Sequence, residues 1–205
     1  MNLSHPLDDL VGRNAGRLLE RLASVADGLT GRRLAELSET PVGTTQRALA
    51  HLEHVGLVRS RQVGRAILHT LNRDHLLWAV LSEAMNSRAS LEQRIAERGQ
   101  QLGGVGTTVA LYGSTARNSA DGDSDIDLLV LWDESLSQDK RDGLLAALSD
   151  DVSNLTGNPT ELVDISAADL KRLVSANDPL VASWKRDART LSGPDLKMQI
   201  RLASV

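Results

Sequence analysis

The sequence predicts an α+β chain in two parts: a helix-rich N-terminal half ending in a β-hairpin, and a small α/β C-terminal half with a mixed sheet. Three observations lead to this. Residues 14–71 place apolar residues at helical spacing and then in two short Arg-bearing runs about a glycine turn. Residues 107–165 instead give apolar strand-like runs separated by a Gly-Ser turn and a long amphipathic stretch. Charge divides the same way: residues 1–100 carry 13 Arg, no Lys and 11 acids, while residues 101–205 carry 10 basic and 16 acidic groups. A net +2 beside a net −6 suggests two jobs on one chain.

Each N-terminal element follows from its punctuation. Leu18, Leu19, Leu22, Val25 and Ala26 form one helical face within residues 14–28. Thr30 is placed to cap a short helix from Gly31 to Ser38. Pro41-Val42-Gly43 breaks the chain, and Thr44 or Thr45 starts the next helix, with Ala48, Leu49 and Leu52 inward and Gly56 as its stop. A hairpin follows, Leu57 to Arg61 and Arg65 to Leu71, with its turn expected at residues 62–64. Asn72 is placed to cap a helix running to about Ser87, and a polar helix covers residues 90–101 before Gly103-Gly104. The expected boundaries are residues 1–88 for the first domain with its following helix, 89–104 for a linker helix and hinge, and 105–205 for the second domain.

In the second half, a strand is expected near Thr107, another in the apolar run that begins at Asp125-Ile126-Asp127, and Ser137 to Leu155 reads as an amphipathic helix covering the sheet. Thr160 to Ile165 is a further strand, followed by helices starting at Ser166 and near Asp178-Pro179. Arg189 to Gly193 reads as a final short strand, and Trp184 as a packing residue.

With 41% hydrophobic and 24% charged residues the composition suits one or two globular domains. Cysteine is absent, which excludes disulfides and thiolate metal sites and fits a cytoplasmic location. No signal peptide or membrane-spanning run is expected, since Asp8 and Asp9 come early and no long apolar stretch exists. Phe is absent and aromatics make up 2%, which argues against an aromatic base-stacking platform.

The chemistry concentrates in Leu111-Tyr112-Gly113-Ser114-Thr115-Ala116-Arg117 and Ser124-Asp125-Ile126-Asp127-Leu128-Leu129-Val130. Side chains two apart on a strand point the same way, so Asp125 and Asp127 project together. Two carboxylates that close repel unless a cation neutralises them, and a divalent metal gripping nucleotide phosphates is the economical solution. Gly113 permits a tight turn and close approach of a ligand. Arg117 suits a phosphate, or alternatively a surface pair with Asp121 or Asp123.

The combination resembles the nucleotidyltransferase signature of the polymerase-beta-like superfamily, and its minimal members most. The resemblance implies that Ser114 touches a phosphate and that Asp125 and Asp127 bind two Mg²⁺ (or Mn²⁺) ions. It also implies a third acid on a later strand, as metal ligand or base for the incoming hydroxyl. Glu161 and Asp164 both lie in the strand at 160–165 with opposite parity, so at most one faces the metals. The implied reaction transfers a nucleoside monophosphate from a nucleoside triphosphate, with ATP expected, to a hydroxyl. The short catalytic half suggests that a partner protein presents that hydroxyl, as minimal members often modify a partner toxin.

The order helix, helix, helix, hairpin, with Gly56-Leu57-Val58 after a helix, resembles winged-helix transcriptional regulators. Residues 31–73 carry seven Arg against Glu36, Glu39 and Glu53. The resemblance implies that Thr44, Thr45, Gln46 and Arg47 meet base edges or phosphates and that Arg59, Arg61 and Arg65 meet phosphates or the minor groove. A homodimer reading two half-sites is compatible with this. The rival function is a transcriptional regulator whose second domain senses nucleotide without turnover. A third is modification of a small hydroxylated molecule such as an antibiotic.

Overall fold

The structure, a computed structural model, describes residues 1–204 and divides into two compact units, Ser4–Ser87 and the chain from Arg88 onward. The first unit opens with α1 (Leu7–Val11) and α2 (Arg13–Ala23), then a two-residue strand β1 (Leu29–Thr30). It continues with α3 (Gly31–Leu37), α4 (Val42–His54), the hairpin β2 (Val58–Val63) and β3 (Ala66–Leu71), and α5 (Leu76–Met85). Thr30 caps α3 as expected, its side chain accepting the Arg33 N–H. Leu18, Leu19 and Leu22 of α2 meet Leu34, Leu49, Leu52, Leu57 and Val58 in one core. Helical spacing on α2 and α4 and the apolar start of β2 therefore build a single interior.

Three details depart from the sequence reading. The small sheet has three strands in the order β1-β3-β2, because Leu29 and Thr30 pair with His69 and Leu68. The hairpin turn lies at Gly64-Arg65 rather than 62–64, since Gln62 and Val63 remain paired with Ile67 and Ala66. Gly64 takes the positive φ of that two-residue turn. His75 instead of Asn72 caps α5, its ring accepting the Leu77 N–H, while Asn72 donates to the Gly56 carbonyl.

The second unit holds α6 (Ser87–Arg98), a π-helical turn (Gly99–Gly103), β4 (Thr108–Leu111), α7 (Gly113–Ala116), β5 (Ile126–Leu131), α8 (Gln138–Thr156) and β6 (Thr160–Ile165). It ends with α9 (Ala167–Ser175), α10 (Pro179–Asp187), β7 (Arg189–Ser192) and α11 (Leu196–Leu202). The stretch expected as a linker helix is part of this unit, with Leu91 and Ile95 in its core. The tail after Pro194 is helical, and Asp195 caps it by accepting the Met198 N–H.

The sheet order is β6-β5-β4-β7, with β5 and β6 parallel and the other pairs antiparallel. One face carries Val109, Leu111, Ile126, Leu128 and Val130 against Leu91, Ile95, Leu144, Leu148 and Val152. The other carries Ala110, Tyr112, Leu129, Leu131 and Ile165 against Leu170, Val181, Trp184, Leu196 and Ile200. Trp184 is fully buried, edge-on to Tyr112, in agreement with a packing role. A sheet covered on both faces explains the unbroken apolar run at 128–131 and leaves Asp127 as the one polar residue of β5.

Arg98 holds both oxygens of Asp151 at 2.8 and 3.1 Å, tying α6 to α8. The guanidinium keeps the Asp151 carboxyl below its ordinary range. A depressed carboxyl stabilises the fold above the unfolded value, near 4, and that contribution is lost as pH falls through the folded value. Asp151→Asn is therefore expected to lower the thermal midpoint at pH 7, with the gap to wild type closing below about pH 4 in parallel melts.

Candidate active site

The backbone ladder decides which side chains meet. Beyond the Leu111–Leu128 pair, the Tyr112 N–H donates to the Asp127 carbonyl at 3.0 Å, which sets these residues opposite one another. On the other side of β5, Asp127 pairs with Glu161 of β6. Tyr112, Asp127 and Glu161 thus form a row across three strands on the face that also carries Leu129, Leu131 and Ile165. Of the two acids left open by the sequence, the structure brings Glu161 to Asp127. Asp164, three residues on, has the opposite parity and accepts a hydrogen bond from Trp132 Nε1 at 3.1 Å. Asp164 therefore stands away from the pair, on the α8 side of the sheet.

Gly113 turns the chain out of β4 with φ near +69°. A methyl group on its Cα would overlap the Asp127 carboxylate. Glycine is required here twice, for the backbone angle and for the space the carboxylate occupies. Ser114 follows, half-buried, its carbonyl accepting both the N–H and the hydroxyl of Ser119. Behind the turn, Arg88 donates to the Ala116 carbonyl and to Asn118 Oδ1. Asn158 donates to the carbonyls of Gly122 and Ser124, fixing the loop that leads into Asp125.

The electrostatics follow from this packing. The Asp127 carboxyl is pushed up to about 6, first by burial, then by the charges of Glu161 and Asp125; Arg117 pulls in the opposite direction. The Tyr112 hydroxyl is pushed up to about 12 by burial and by Asp127 and Glu161. Asp125 and Glu161 are themselves exposed, so the row opens to solvent at one end. Asp121 is occupied locally: it accepts from the Ser124 hydroxyl and the Asp123 N–H, which hold its carboxyl low. The partner of Arg117 is neither Asp121 nor Asp123 but Asp187, at 2.9 Å.

Among the described residues no three His, Asp or Glu side chains already close around a single metal position. The donor set nonetheless suits a hard divalent cation: carboxylate oxygens alone, with Asp127 and Glu161 in register and Asp125 at the strand entrance. Burial first, and then the charges of Glu161 and Asp125, push the Asp127 carboxyl up, and a bound cation would offset those neighbouring charges.

In the first unit, Gln46, Arg47, Arg59, Arg61 and Arg65 are exposed and Thr44 is half-buried. Arg47 donates to the Thr44 hydroxyl at 3.3 Å, and Arg59 lies 4.0 Å from Asp74. Thr45, expected to meet DNA, is instead fully buried. The helix begins at Val42, and that phase places Thr45 inward with Leu49 and Leu52.

Residues 92–186 match the family model of the nucleotidyltransferase domain, and residues 13–62 that of the IclR helix-turn-helix domain. The chain therefore carries a nucleotidyltransferase domain behind an IclR-type helix-turn-helix domain. Two solved structures are similar to part of it. One is a toxin–antitoxin with AMP-PNP, at 19% identity over 55% of this chain and 80% of that one, with a TM-score of 0.36. The other is a complex of tri-AMPylated Shewanella oneidensis HEPN toxin with MNT antitoxin, at 18% identity over 58% and 81%, with a TM-score of 0.34. Likeness at that level transfers no chemistry. No curated protein matches the chain. No helix among the described residues is long and apolar enough to cross a membrane.

In the metal-free protein, Asp127 keeps its proton to about pH 6 while the unfolded chain loses it near 4, so ionisation of Asp127 disfavours the fold above that window. Asp127→Asn is expected to raise stability in EDTA at pH 7.5 by roughly 1 kcal/mol, solvent screening included, and to match wild type near pH 4. Thermal melts with and without Mg²⁺ check this, since added metal should stabilise only the wild type.

Proposed function

We propose that this chain transfers a nucleoside monophosphate from a nucleoside triphosphate, with ATP the expected donor, to a hydroxyl acceptor and releases pyrophosphate. The observation that supports this most is the register that sets Glu161 beside Asp127, with the Asp127 carboxylate over Gly113. Asp127, Glu161 and Asp125 would hold Mg²⁺ (Mn²⁺ as substitute), which offsets triphosphate charge and orients the α-phosphorus for in-line attack. Gly113 and Ser114 lie against the triphosphate, and Arg117 supplies a cation to its oxygens. Glu161 is the third acid of this reading, in place of Asp164, as ligand or as acceptor of the attacking hydroxyl's proton. The exposed positions of Asp125 and Glu161 favour a bulky acceptor, a hydroxyl on a partner protein, over a small molecule enclosed in a pocket.

DNA binding belongs to the same proposal. The IclR-type match and the exposed Arg59, Arg61 and Arg65 support contact with phosphates, and exposed Gln46 and Arg47 support contact with base edges. In the alternative reading the second domain senses nucleotide and shifts the DNA affinity of the first without turnover.

Two assays test these readings. With nucleotide labelled at the α-phosphate, Mg²⁺ and cell lysate as the acceptor source, transfer is expected in wild type and is expected to fall at least about a hundredfold in Asp127→Asn. Equal labelling by both contradicts the enzyme. In gel shifts, Arg59→Ala and Arg61→Ala should weaken binding uniformly across DNA sequences, each lowering the salt slope by about 1. Unchanged affinity and slope contradict the groove-and-wing reading.

A further inference from the structure

Asp187 ends α10, 70 residues from Arg117, and its side chain is 6% exposed. Arg186 donates to both of its oxygens, Nε to Oδ1 at 2.9 Å and Nη2 to Oδ2 at 2.8 Å. Arg117 adds one further bond, Nη1 to Oδ2 at 2.9 Å. Two guanidinium charges thus share one carboxylate, and the cluster keeps a net positive charge. Asp187 already has a bidentate partner in Arg186, so it has no need of Arg117 for neutrality. Arg117 spends a single N–H on it, and the guanidinium carries five. Its side chain remains 43% exposed.

Arg117 also lies within electrostatic reach of the acidic row. Its charge acts on Asp127, yet among the described residues no ion pair within 4.0 Å joins Arg117 to Asp127, Asp125 or Glu161. A freed guanidinium whose charge reaches Asp127 has an electrostatic reason to move toward that carboxylate and its acidic neighbours. There it would neutralise the acids and fill the space of a metal ion.

Resting on the nucleotide-binding reading above, we infer that Asp187 is a positioning residue: it pins one end of the Arg117 guanidinium so that the free end meets a triphosphate and stays out of the acidic row. Arg186 is the counter-charge that lets Asp187 do this without drawing Arg117 fully into a bidentate pair. Arg117 touches the ligand, whereas Asp187 acts only through it.

The test uses the full-length chain and titration calorimetry with two probes, ATP with Mg²⁺ and inorganic triphosphate with Mg²⁺, plus Mn²⁺ binding read by electron paramagnetic resonance. Asp187→Asn, which keeps the shape, and Asp187→Ala are each expected to weaken both phosphate probes by about tenfold or more. Both should also weaken Mn²⁺ binding in the absence of nucleotide, since the freed Arg117 competes for the acids. Asp187→Glu should restore phosphate affinity to within about threefold of wild type. In an Arg117→Ala background the Asp187 substitutions should add nothing, and Mn²⁺ binding should return to the wild-type level. Affinities within about twofold of wild type in Asp187→Asn, or losses that add to those of Arg117→Ala, overturn the inference while leaving the nucleotide site intact. A folded wild type that binds neither probe overturns the nucleotide-binding reading, and the inference with it.

Discussion

The second domain is organised around one steric and electrostatic coincidence: the Asp127 carboxylate lies over the Cα of Gly113 and beside the Glu161 side chain. Neither neighbour is close in sequence. Both are fixed by backbone hydrogen bonding, Gly113 through the β4–β5 ladder and Glu161 through the parallel β5–β6 pairing. Because side chains alternate along a strand, the register that creates this meeting also sends Ile126 and Leu128 to the opposite core. A slip of one residue would turn Asp127 into the opposite core, among Leu144, Leu148 and Val152 and away from Gly113 and Glu161. The hydrophobic pattern that stabilises the sheet is therefore the same pattern that aims the acid.

That arrangement carries an energetic penalty in the isolated chain. A half-buried carboxyl beside two others is held protonated well above its ordinary range, and the neighbouring tyrosine is pushed up with it. Such conflict is ordinarily relieved by a bound cation, which is why the acids are read as a ligand set rather than as a surface ornament. The surrounding chain holds the backbone around the acids: Asn158 fixes the loop into Asp125, and Arg88 braces the turn from behind.

Much of this was legible from the sequence because the signals were local. The Gly-Ser turn after an apolar run, the Asp-x-Asp at the head of the next, the Thr30 cap and the Gly56 stop each depend on residues within a few positions of one another. The alternation in 160–165 was enough to say that Glu161 and Asp164 cannot both face the metals. It was not enough to choose, because the choice rests on which residue of β6 pairs with Asp127, a long-range fact. The outward placement of Thr45 fails for a different reason: the helix starts three residues earlier, at Val42, so Thr45 lies within it, four residues before Leu49 on the same inward face. Asp187 was invisible altogether. Its partner lies 70 residues upstream, and nothing in Lys185-Arg186-Asp187 distinguishes a surface run from a carboxylate held by two arginines.

The central claim is that the register of β4, β5 and β6 assembles a divalent-cation and triphosphate site at Asp127. Crystals grown with a non-hydrolysable ATP analogue and Mn²⁺ test it most directly, through the anomalous signal of the metal. The account predicts manganese bonded to oxygens of Asp127 at about 2.2 Å, with Glu161 or Asp125 as a second protein ligand and the triphosphate against Gly113 and Ser114. Manganese bound elsewhere, or an acidic row filled by the Arg117 guanidinium with nucleotide present, would contradict it.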